Sequence, residues 1–171
     1  MKFLHFSTLR NRRMLRNTRR AVCLSALIFA CSLHSFAQTN VLSVASDKVT
    51  AKMGGTAQAK LTLQLRPGYH VNSNMPADAY LIPLKLTWSA GPLEGGEVLY
   101  PKPQMEKTGF SEQPLSVYSG DFDILTKFKV ASTARIGPTA LTGKLRYQAC
   151  NDRMCLAPKT VDVTLQIDVV K

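Results

Sequence analysis

Cys150 and Cys155 stand four residues apart in the stretch Tyr147-Gln148-Ala149-Cys150-Asn151-Asp152-Arg153-Met154-Cys155-Leu156-Ala157-Pro158. An alternating strand pattern leads into the first cysteine and another follows the second, with turn-prone and charged residues between them. If Cys150 ends one strand and Cys155 begins its neighbour, cross-strand geometry makes a small-ring disulfide available. As a staple such a bond does little: closing a ring of roughly six residues removes about 2 kcal/mol of unfolded-chain freedom. As a redox centre it needs one reachable sulfur and shelter from casual reductants. Asp152 and Arg153 pull a nearby thiolate in opposite directions, or simply form a solvated turn. Staple and working centre both remain open on these residues alone.

Other chemistries fare less well. Cys150, Met154 and Cys155, with His70 or Met75, are ligand types that suit Cu(I), which makes soft-metal handling a competing binding function. There is no Gly-rich phosphate loop and no nucleophile–histidine arrangement, so neither a nucleotide enzyme nor a hydrolase is expected. The pattern requires no bound cofactor and no resident metal. A lone histidine beside a turn, as His70 is, ordinarily lies on the surface.

The formal net charge of +11 invites a nucleic-acid reading, but its distribution argues against one. Residues 1–37 hold Lys2, Arg10, Arg12, Arg13, Arg16, Arg19 and Arg20 and no acid, leaving fifteen basic against eleven acidic residues, a net +4, for the remainder. No nucleic-acid partner is expected. The basic stretch to Arg20, the uncharged stretch Ala21 to Ala37 and the small residues Ser35 and Ala37 have the layout of a secretory signal cleaved after Ala37. Thr18-Arg19-Arg20 admits twin-arginine export, and Ile28-Phe29-Ala30-Cys31 admits a lipidated Cys31. Cleavage at Ala37 removes Cys23 and Cys31, leaving Cys150 and Cys155 in an oxidising compartment.

The elements that must position the pair read as strands. Ala57 to Arg66 alternates without a break, then Pro67-Gly68 turns the chain into Tyr69-His70-Val71-Asn72. Leu84, Leu86 and Trp88 share one face, as do Phe122, Ile124, Thr126, Phe128 and Val130. Leu141, Gly143, Leu145, Tyr147 and Ala149 share a face before the cysteines, and Val161 to Val169 alternates after them. No capped helical period is present, and the expected fold is all-β: an immunoglobulin-like antiparallel sandwich of two sheets, occupying residues 38–171 as one domain. Gly91 to Pro114 departs from the strand pattern and reads as a long loop, with only Val98-Leu99-Tyr100 as a brief strand and Phe110 as an isolated aromatic.

From Tyr147 to Val161 the chain resembles the N-terminal periplasmic domain family of the thiol:disulfide interchange protein DsbD. The likeness takes in Pro67-Gly68-Tyr69-His70-Val71-Asn72 and the Pro101-to-Tyr118 loop with Phe110, and covers nearly all of residues 40–171. The resemblance implies that Cys150 and Cys155 cycle between dithiol and disulfide, with Cys155 forming mixed disulfides and Cys150 resolving them. It implies that Phe110 sits on a cap loop over the pair, and it makes His70, Asn72, Tyr147 and Asp152 further candidates around it. The implied partners are thioredoxin-fold periplasmic proteins, either disulfide isomerases or cytochrome c maturation thioredoxins, and a membrane-embedded thiol reductant. The protein would then act as a component of a protein-disulfide reductase. Some family members place five residues between the cysteines where this chain has four. The family's acidic residues beside the cap aromatic have only Glu106 and Glu112 near them here. Membrane-spanning and thioredoxin-like parts are not found in the sequence, so the electron donor is expected to be a separate protein. The alternative is an immunoglobulin-like interaction module with an inert disulfide.

Overall fold

A computed structural model describes residues 40–90 and 93–171. The expected leader at residues 1–37, including Cys23 and Cys31, lies outside the described residues. The described chain is built from strands β1 (Leu42–Ser46), β2 (Val49–Lys52), β3 (Thr56–Leu65), β4 (His70–Asn72), β5 (Lys85–Trp88) and β6 (Leu93–Leu99), followed by β7 (Gln104–Glu106), β8 (Leu115–Ser119), β9 (Asp121–Val130), β10 (Gly137–Tyr147), β11 (Ala149–Cys150) and β12 (Lys159–Val170).

Period-two patterning assigns the faces. Along β3, Ala59, Leu61, Leu63 and Leu65 are buried while Gln58, Lys60 and Gln64 face water; β9 and β12 alternate in the same way. One sheet runs β1-β3-β9-β6 and the other β2-β12-β10-β5. Their inner faces meet: Ala59, Phe128 and Val130 from the first pack against Leu141, Leu165, Ile167 and Val169 from the second. Thr126 is fully buried in this interface, and the indole Nε1 of Trp88 donates to its hydroxyl at 3.1 Å, so a polar link joins the two sheets. The antiparallel immunoglobulin-like sandwich read from the sequence is therefore the fold, with one exception in direction. β2 runs parallel to β12.

A third sheet, β11-β4-β8-β7, was not legible in the sequence. It arises because three strands continue past their ladders and bend out of the sandwich. β3 passes through Pro67-Gly68 into β4, β8 passes through Gly120 into β9, and β10 passes through Gln148 into β11. At the first bend the Tyr69 N–H donates to the Arg66 carbonyl at 3.1 Å and Gly68 has φ 80°, a turn with proline and glycine in their preferred places. Val71, Tyr118 and Ala149 of this sheet join Leu61, Leu63, Ile124 and Leu145 in one apolar cluster. The third sheet is thus packed onto the sandwich core, and it carries the cysteine pair.

The segment from Gly91 to Pro114 is more regular than its composition implies. Leu93–Leu99 is a seven-residue strand bonded to β9, with a register shift between Gly95 and Val98, and Gln104–Glu106 bonds to β8. Leu115–Ser119, read as loop, is a strand between β4 and β7. Glycine and proline obscured these strands because β6 and β7 are edge strands, where bulges and prolines are tolerated. Among its described residues, Tyr100 to Pro103 and Lys107 to Pro114 remain irregular.

Because Gly68 holds a left-handed conformation, Gly68→Ala is expected to cost about 1 kcal/mol of stability. Urea denaturation of the oxidised protein measures this. An unchanged midpoint would show that the bend into β4 does not need glycine.

Candidate redox site

The chain between β10 and β12 forms a compact excursion. Its base is tied by the pairing of Tyr147 with Lys159, and by the Gln148 side-chain amide, which donates to the Leu156 carbonyl at 3.1 Å. Above that, the Leu156 N–H donates to the Ala149 carbonyl at 2.8 Å and the Asn151 N–H to the Met154 carbonyl at 2.9 Å. Cys150 and Cys155 face each other between these two bonds, joined by a disulfide with Cα atoms 3.9 Å apart. The turn at the tip is closed by Asn151, whose side-chain carbonyl accepts from the N–H groups of Arg153 and Met154 at 2.9 and 3.0 Å. An asparagine in this position supplies the acceptor that a tight turn otherwise takes from backbone.

The two sulfurs differ in environment. Cys150 is 1% exposed, whereas Cys155 is only partly buried. Cys150 lies on β11 directly opposite His70 on β4, and Ala149 lies opposite Val71. His70 is 4% exposed, which corrects the expectation of a surface histidine: the third sheet covers β4 on both sides. Its Nδ1 lies 3.9 Å from a carboxylate oxygen of Glu106, while its Nε2 is buried with no hydrogen-bond partner among the described residues. The other Glu106 oxygen accepts from the Ser119 hydroxyl, and Ser119 is itself the β8 residue opposite His70. Burial holds the imidazole below the ordinary histidine range, and the charges of Glu106 and Asp152 oppose that shift without cancelling it.

The remaining sequence-derived candidates divide. Asn72 is buried two residues beyond His70, where its side-chain amide donates to the Ile82 carbonyl at 3.0 Å and ties down the segment before β5. Tyr147 is buried in the core cluster, with Leu156 packed against that cluster, and burial pushes its hydroxyl pKa up. Both support the site from below. Asp152 occupies the exposed turn, and its backbone carbonyl lies 3.0 Å from where a Cβ on Gly109 would stand. The 107–114 segment therefore rests on the hairpin tip at a glycine. Phe110, next in sequence, is 44% exposed. Met154 and Met75, raised as soft-metal ligands, are 57% and 79% exposed.

Glu106 and Ser119 complete the surroundings of His70, and the sequence reading missed their part. Glu106 drew notice only for its nearness to Phe110. No spacing rule links positions 70, 106 and 119; adjacency of β4, β8 and β7 in one sheet does.

An all-β sandwich carrying a tight hairpin disulfide, with Cys150 buried and Cys155 only partly so, has the parts of a thiol-disulfide exchange domain. Residues 38–167 match the family described as thiol:disulfide interchange protein DsbD, N-terminal, and the chain belongs to that family. Among curated proteins none matches. Among solved structures it is similar to the N-terminal periplasmic domain of ScsB from Proteus mirabilis, with a TM-score of 0.54 and 16% identity over 78% of this chain and 49% of that one. The chain thus spans about half the length of that relative. A type I cohesin from Pseudobacteroides cellulosolvens follows at TM-score 0.45 and 19% identity, covering 75% of this chain and 92% of the cohesin. No helix among the described residues is long and apolar enough to cross a membrane.

A histidine buried below its unfolded pKa of 6.5 favours the folded state above that pH, and the contribution is lost as pH falls through the folded-state value. The stability difference between the wild type and His70→Gln should therefore shrink or reverse from pH 7.5 to pH 5. Urea denaturation at the two pH values checks this; a difference independent of pH would mean that His70 does not titrate between the two states.

Proposed function

We propose that this protein is an exported thiol-disulfide carrier whose Cys150–Cys155 pair relays reducing equivalents by mixed-disulfide exchange. The observation that carries the reading is the asymmetry of the pair: a reachable Cys155 bonded to a Cys150 sealed beneath it. A staple has no use for that asymmetry. Its stabilising effect would also be small, because main-chain bonds on both sides and the Asn151 side chain already hold the hairpin together.

In the forward half-cycle a donor thiolate attacks Cys155 Sγ, the Cys150–Cys155 bond breaks, and Cys150 leaves as a thiolate that takes up a proton. The donor's second thiolate then attacks its own sulfur in the mixed disulfide and releases Cys155, so that the donor is oxidised and the carrier is a dithiol. The second half-cycle runs in reverse: Cys155 attacks an acceptor disulfide, and Cys150 attacks Cys155 to release the reduced acceptor. Membership in the family supports a membrane-embedded thiol reductant as donor and thioredoxin-fold periplasmic proteins as acceptors. Residues 1–37 serve as the export signal, cleaved after Ala37, and residues 38–171 as the exchange domain. Phe110 shields the pair between encounters, with its loop seated on the hairpin tip through Gly109.

Cys150→Ala leaves Cys155 with no resolving thiol, so this variant expressed in a periplasm should accumulate disulfide-linked to thioredoxin-fold proteins. The complexes are resolved by non-reducing electrophoresis and identified by mass spectrometry. Absence of such adducts, together with a Cys150–Cys155 potential below about −300 mV, would assign the bond to the inert structural class. With the cap shortened, Phe110→Ala should be reduced several-fold faster by dithiothreitol at unchanged potential. An unchanged rate would remove Phe110 from the shielding role.

A further inference from the structure

Cys150 must exchange a proton in every cycle, yet it is 1% exposed. A thiol attacks only as the thiolate, and one sealed from water holds its proton more firmly. Resolution of a mixed disulfide on Cys155 therefore needs an internal base beside Cys150. Directly opposed residues of an antiparallel pair stand on the same face with Cβ atoms about 4.5–5.5 Å apart. The residue so placed against Cys150 is His70, buried like it. Nδ1 faces the Glu106 carboxylate, which favours the neutral tautomer protonated on Nδ1 and leaves Nε2 with a free lone pair. Neither ring nitrogen has a hydrogen-bond partner among the described residues, and Nε2 is the one fully buried. Buried polar atoms are rarely left unpaired; Asn72 Oδ1 and Thr108 Oγ1 are also unpaired among the described residues, but only Nε2 belongs to a titratable ring on the residue opposite a cysteine.

We propose that His70 is the proton acceptor and donor for Cys150, with Glu106, itself held by Ser119, fixing the ring and stabilising the imidazolium. This inference rests on the exchange reading above and assigns the proton path of the same site. In resolution, Nε2 takes the Cys150 proton as the sulfur attacks Cys155 Sγ. The Cys150–Cys155 bond forms, the bond from Cys155 to the partner breaks, and the partner leaves as a thiolate. In reduction the ring first binds a proton from solvent and passes it from Nε2 to the departing Cys150 thiolate. The residues set around the ring are Cys150 from β11 and Ser119 from β8, its ladder partners, and Glu106 from β7, and the charge of Asp152 in the hairpin turn also acts on it. Both carboxylates favour the imidazolium electrostatically, while burial keeps the resting ring neutral and ready to accept.

The test separates formation of the mixed disulfide from its resolution. The chain carrying Cys23→Ser and Cys31→Ser is reduced, mixed with glutathione disulfide, acid-quenched at intervals and weighed by mass spectrometry. With His70 as base, resolution in the wild type should be nearly independent of pH around neutrality and fall only at acid pH, under the ordinary histidine range, as the ring protonates. In His70→Gln, resolution at neutral pH should slow by about 100-fold, the usual scale of general-base assistance. Its rate should then climb about tenfold per pH unit with the thiolate fraction. Attack by Cys155, which forms the mixed disulfide, should change by less than about threefold, since that residue is only partly buried. Equal resolution rates and profiles in the two proteins would overturn the assignment, as would equal slowing of both steps. Should His70→Gln fail to fold, Glu106→Gln provides the test: it removes a charge that raises the His70 pKa, so the acid limb should move to lower pH. An unmoved limb overturns the assignment. A wild type that forms no glutathione adduct is a distinguishable result, which overturns the exchange reading and the His70 assignment together.

Discussion

Two residue pairs of backbone ladder, Ala149 with Val71 and Cys150 with His70, are the constraint on which the site depends. They draw the end of β10 away from its sheet partner β12 and into a third sheet. That move seals one cysteine while the turn leaves the other reachable. It also brings a buried imidazole to the sealed sulfur. Remove this short ladder and Cys150 would stand at the mouth of an ordinary hairpin, as solvated as Cys155.

The sandwich provides the fixed platform for that ladder. Val71, Tyr118 and Ala149 share an apolar cluster with Leu61, Ile124 and Leu145, so β4, β8 and β11 are each pinned by core packing. Close-packed interiors transmit little slack, and reacting groups held on strands keep their geometry better than groups on loops. Outside the core lie the hairpin tip, closed by Asn151 through its side chain and its N–H, and the 107–114 segment that meets it at Gly109. Stability is thus concentrated in the ladders, and adaptability at the edge where a partner must enter.

Polar burial follows the same division. Thr126 is paired with Trp88 deep between the main sheets, its hydroxyl accepting from the indole N–H. His70, by contrast, is buried with one nitrogen facing a carboxylate and the other unpaired. The first is what structural burial of a polar group normally looks like; the second matches a group that must change protonation state during a reaction.

Much of this was readable from residue order alone. Period-two alternation in β3, β9, β10 and β12 reports burial on one face, which is a local property, so the sandwich class followed directly. The spacing of Cys150 and Cys155 about Asn151-Asp152-Arg153-Met154 is equally local, and so the disulfide and its turn were legible. Edge strand β7 and all of β6 but its end at Val98-Leu99 were not, because glycine, proline and a bulge erase the alternation there. Nor was the third sheet, since bends at Gly68, Gly120 and Gln148 redirect strands without altering their pattern. The difference in burial between the two cysteines, and the meeting of His70 with Glu106 and Ser119, depend on which strands become neighbours. That is decided by long-range pairing and by burial of the shared core, neither of which a one-dimensional spacing can encode.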